Sequence, residues 1–80
     1  LQVLVYKTTP NFVAARAIGG GNDIEQYILD TLTVFAKFDK TITYRSVGDW
    51  IRRKHHISYE DEDIAAYLSL YVCIGILRVI

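Results

Sequence analysis

Residues 58–80 constrain this chain more than any other stretch. Glu60, Asp61, Glu62 and Asp63 come first, and behind them Ile64, Ala65, Leu68, Tyr71 and Val72 recur at the spacing of one buried helix face. Carboxylates suit the positive end of a helix dipole, and Ser58 offers a capping hydroxyl just ahead of them. Gly75 stops the helix, after which Ile76, Leu77, Val79 and Ile80 read as a strand. An apolar-faced helix feeding directly into an apolar strand needs both helices and a sheet to cover it, so the expected class is α+β.

Two shorter patterns precede it. Asn22 or Asp23 caps a helix in which Ile24, Tyr27, Ile28, Thr31, Leu32 and Phe35 form one stripe, ending near Lys37 to Lys40. Residues 41–44 are β-branched and alternating, enough for a very short strand. Ser46 then caps a helix over residues 47–54, with Val47, Trp50 and Ile51 on its inner face, and residues 55–57 turn the chain.

Gly19, Gly20 and Gly21 divide an N-terminal arm, residues 1–21, from a body, residues 22–80. Three successive glycines cost too much backbone entropy to sit inside a helix or strand. Within the arm, residues 1–7 are β-rich, and Thr8, Thr9, Pro10 and Asn11 carry turn chemistry. Residues 12–18 have two readings. Thr9 as cap, Pro10 at the first helical position and Ala14, Ala15, Arg16 and Ala17 favour a short helix; the four-residue turn also allows a second hairpin strand.

Eighty residues make one domain with one modest core, and 51% apolar with 12% aromatic content is too rich for a disordered tail. Apolar runs are broken by Lys, Asp or Gly well short of the ~20 residues that cross a bilayer, so membrane insertion is not expected. Nine basic side chains balance nine acidic ones, which leaves no overall field toward nucleic acid. Cys73 is the single cysteine; it excludes an internal disulfide, suggests a reducing cytoplasmic or nuclear setting, and is expected to be a small buried hydrophobe. His55 and His56 are adjacent and their rings diverge, and neither an HxxxH nor a CxxC spacing is present. With no phosphate loop and no nucleophile–base–acid motif either, neither a metal, a cofactor nor catalysis is expected.

Helix, short strand, helix, tight turn, longer helix and strand, closing on residues 67–80 (YLSLYVCIGILRVI), resembles the winged helix-turn-helix domain over residues 22–80. The family normally continues from that strand into a hairpin and a further strand, whereas this chain leaves the edge of residues 76–80 unpaired, which resembles the incomplete or broken-wing type. The resemblance implies a three-helix body with a small antiparallel sheet, and residues 1–7 of the arm are the candidate to supply the missing strand. That strand is either native or derived from a partner and tethered by the glycines.

DNA-reading members place the start of the third helix in the major groove, where this chain has Tyr59, Glu60, Asp61, Glu62 and Asp63. Four carboxylates oppose the counterion release that drives such binding. The expected function is therefore a small noncatalytic adaptor that binds another protein or peptide by strand addition, through Leu1, Val3, Val5, Ile76, Arg78 and Ile80. The alternative is a DNA-binding transcriptional regulator that holds phosphates with Arg45, Arg52, Arg53 and Lys54. A homodimer that swaps arms is a third arrangement. Tyr27, Phe35, Trp50, Tyr67 and Tyr71 are assigned to the core, while the faces of Tyr6, Tyr44 and Tyr59 stay open.

Overall fold

Three helices and a two-stranded antiparallel sheet give an α+β fold in the computed structural model, which describes residues 1–13 and 21–80. In chain order they are β1 (Tyr6–Thr8), α1 (Asp23–Lys37), α2 (Tyr44–His55), α3 (Asp61–Cys73) and β2 (Leu77–Val79).

Asn22 starts α1 by accepting the Glu25 N–H on its side-chain oxygen at 3.0 Å, and Asp23 and Glu25 in the first turn complement the dipole. Ile28, Leu29, Thr31, Leu32 and Phe35 are buried, so the stripe is wider by Leu29 than the spacing predicts. Thr31 tolerates burial because its hydroxyl donates to the Tyr27 carbonyl at 2.7 Å.

The second helix begins earlier than Ser46. Thr43 is its cap: the Ser46 N–H donates to the Thr43 hydroxyl at 3.0 Å and the Thr43 N–H to the Ser46 hydroxyl at 2.9 Å, a capping box in which Ser takes the place of the usual Glu. The expected strand at residues 41–44 contracts to a single bridge between Ile42 and Tyr6. At the far end His56 takes the left-handed conformation, φ 58°, and its N–H closes on the Arg52 carbonyl at 2.9 Å. A Cβ there costs about 1 to 2 kcal/mol, part of which glycine returns through unfolded-chain entropy. His56→Gly is therefore expected to stabilise the domain by ~0.5 kcal/mol, read as a higher denaturation midpoint at unchanged slope.

Glu60, not Ser58, occupies the cap of α3, and it makes no side-chain capping bond; Ser58 lies too far upstream to reach the first free amides. Asp61, Glu62 and Asp63 do fill the first turn. Gly75, at φ +84°, ends the helix: its N–H donates to the Val72 carbonyl and the Ile76 N–H to the Tyr71 carbonyl, the paired bonds of a Schellman turn. Cys73 is exposed, contrary to the expectation of burial, because Ile64, Leu68 and Tyr71 define the inward face and Cys73 stands two residues, about 200°, beyond Tyr71. Helices α2 and α3 meet closely at Gly48, where an added Cβ would lie 3.0 Å from the Ile64 Cδ1.

The arm completes the fold. β1 pairs antiparallel with β2 in the register Tyr6↔Val79, Lys7↔Arg78 and Thr8↔Leu77. The strand is shorter than residues 1–7: Ile80 donates to the Val5 carbonyl at 2.9 Å as the outermost rung, and residues 1–4 have no ladder partner among the described residues. At the turn, the Thr9 N–H donates to the Ile76 carbonyl at 3.0 Å and the Thr9 hydroxyl donates to the Gly75 carbonyl, which fastens the arm to the end of α3. Tyr6 and Phe12 are buried with Ile28, Leu32, Ile51, Ile64, Leu68 and Leu77 in one core. Phe12 and Val13 are helical, while the rest of the segment read as helix or strand, with Gly19 and Gly20, lies outside the described residues.

Tyr71 is buried with its hydroxyl unpartnered among the described residues. Burial pushes this phenol well above its ordinary value, and the charges of Glu25 and Tyr67 add to the shift. Because the folded state holds the proton more tightly, the stability tied to it is full below about pH 10 and drains away as the pH climbs from there toward the folded value. Tyr71→Phe is expected to cost nothing at pH 7 and to flatten the alkaline limb of a stability-versus-pH profile.

Candidate interaction surfaces

In β1, the Tyr6 N–H turns to the Ile42 carbonyl at 2.9 Å, whereas Val5, Lys7 and Thr9 face β2. β1 is thus the inner strand, with Ile42 on one side and β2 on the other. By the same alternation the backbone groups of Leu77 and Val79 point away from β1, and no described residue pairs with them. Beside this open edge Val79 is 45% exposed and Ile80 68% exposed, while the Leu77 side chain is buried.

Among the six residues proposed from sequence for strand addition, Val5, Ile76, Arg78 and Ile80 come together in the ladder. Ile76 contributes only backbone there, since its side chain belongs to the core. Leu1 and Val3 are exposed but precede the ladder.

The four basic candidates do not form one surface. Both Arg52 and Arg53 reach the Asp49 carboxylate, at 2.5 and 2.7 Å, one to each oxygen. Arg45 donates from Nε to the Tyr44 hydroxyl at 3.3 Å and holds its guanidinium carbon 5.9 Å from the centre of that ring. Lys54 holds its ammonium 6.0 Å from the centre of the Trp50 ring. Arg45 and Arg52 line a polar groove of about 610 Å³ with Ser58, Tyr59 and Asp61. Arg53 and Lys54 line a different groove, of about 700 Å³, with Phe35, Lys40 and Trp50. Asp49 escaped the sequence reading, although its i, i+3 and i, i+4 spacing to the two arginines announces the pairs.

No ion pair joins Glu60, Asp61, Glu62 or Asp63 to a described residue. His55 stacks on Tyr27, ring centres 4.2 Å apart, and no group of three or more potential metal-ligating side chains gathers among the described residues. None of the described helices is long and apolar enough to cross a membrane. Comparison with family models, curated proteins and solved structures found no match.

Proposed function

We propose that this chain is a small noncatalytic adaptor of winged-helix type that recognises another protein or peptide by strand addition. The observation that carries the reading is the outer side of β2, where Leu77 and Val79 turn their backbone groups away from β1 beside the exposed Val79 and Ile80 side chains. An extended peptide laid there gains main-chain hydrogen bonds and seats alternate side chains on an apolar rim. The winged-helix assignment rests on element order and on the sheet order Ile42, β1, β2: β1 takes the position that a wing strand following β2 would take in that fold. The lone, exposed Cys73 thiol supports a reducing setting, cytoplasmic or nuclear.

Val79→Pro tests this reading, because it removes an outward N–H and leaves the β1 ladder in place. Peptides selected from a randomised display library on the unmodified protein are expected to bind the variant at least about tenfold more weakly, a loss of ~1.4 kcal/mol. Equal binding to both proteins rejects strand addition. Salt-dependent duplex DNA binding that Arg52→Ala/Arg53→Ala abolishes would replace the adaptor with a DNA-binding regulator; the engagement of both arginines by Asp49 weighs against that result.

A further inference from the structure

We infer that the groove between the end of α1 and the outer face of α2 docks an acidic peptide carrying large aliphatic side chains. Its floor is Phe35 against Trp50, packed edge to face with ring centres 5.7 Å apart at 79°. Around that floor stand Lys40, from the segment after α1, and Arg53 and Lys54 from α2. The groove is open to solvent, with a volume of about 700 Å³.

Charge specifies the occupant. Lys40, Arg53 and Lys54 line the groove with one carboxylate, Asp49; Arg53 and Arg52 already engage its two oxygens, which leaves Lys40 and Lys54 as the cations that meet a ligand. The carbonyls at the end of α1, which would repel an anion, are themselves engaged: Val34, Phe35 and Ala36 accept from Phe38, Lys40 and Asp39. An aliphatic side chain on Trp50 with carboxylates over Lys40 and Lys54 satisfies both halves of the surface.

The same geometry disfavours single-stranded nucleic acid. That ligand needs open aromatic faces for successive bases, and of the two rings that line this groove Phe35 is buried, which leaves Trp50 alone.

Trp50 is the only tryptophan, so its emission reports directly on the groove. The probe is a blocked hexapeptide, EELLEE, titrated alongside QQLLQQ and a short oligothymidylate. EELLEE is expected to shift the emission saturably, with Kd on the order of 10 to 100 μM. Lys40→Gln/Lys54→Gln, which alters two exposed side chains, is expected to weaken it at least about tenfold, as is a rise to roughly 0.5 M salt. Val79→Pro is expected to bind EELLEE as the unmodified protein does, which separates this site from the sheet edge. The inference is overturned if EELLEE gives no saturable shift, if QQLLQQ binds equally well, if the double variant binds unchanged, or if oligothymidylate binds in preference.

Discussion

Deletion of residues 1–21 is expected to abolish cooperative unfolding of the remaining chain. The loss removes every rung of the β1–β2 ladder and takes Tyr6 and Phe12 out of the core. Truncating one large buried aromatic side chain costs about 3 to 5 kcal/mol, while a domain of this length has roughly 4 to 12 kcal/mol in total. The truncated protein is expected to show a broad, probe-dependent thermal transition and to self-associate through the uncovered β2 edge. A synthetic peptide of residues 1–13 added in excess is expected to restore a sharp transition whose midpoint rises with peptide concentration. A truncated chain that stays monomeric and as stable as its parent would rule out the arm as a structural strand.

Gly48→Val carries the second largest expected effect, a destabilisation of about 2 to 3 kcal/mol by denaturant unfolding. The position lies on α2 with the Ile64 Cδ1 at 3.0 Å from where a Cβ would stand, and Ile64 is buried on α3. Valine is β-branched, and its two methyls add volume beyond a Cβ that already crowds the Ile64 Cδ1, so the Ile64 side chain has to shift within the core. Gly48→Ala is a milder case, in which roughly 1 kcal/mol of helix propensity offsets the displacement of one methyl. Ile64→Val is expected to rescue Gly48→Val in part, and a double-mutant cycle measures that coupling.

Both effects depend on contacts of different legibility in the sequence. Helices α1 and α3 were readable because each repeats large apolar residues at helical spacing over three turns or more. The start of α2 was not, since Thr43 as a β-branched residue after Ile42 reads as strand, and a capping box closed by Ser rather than Glu resembles any polar turn. That the arm must cover residues 76–80 followed from the unpaired edge, yet the inner position of β1 depends on one bridge to Ile42 that no local pattern encodes. The basic candidates were found by residue type alone, and the faces of α2 then divided them between two grooves. Trp50 read as core from its periodicity, but it is only partly buried and thus serves the core and the groove together.

The position of β1 between Ile42 and β2 also bears on the order in which the molecule assembles. The helices meet through residues near one another along the chain, whereas Tyr6↔Val79 joins its two ends. Closing so long a loop is entropically slow until the intervening helices have docked and brought the ends together. β1 should accordingly be a late arrival at the folding barrier, so that weakening it with Thr9→Ala, which removes the hydroxyl bond to the Gly75 carbonyl, accelerates unfolding and leaves the refolding rate nearly untouched. The strand at the centre of the sheet is in this sense the latch of the domain, the last piece to engage and the first whose release opens it.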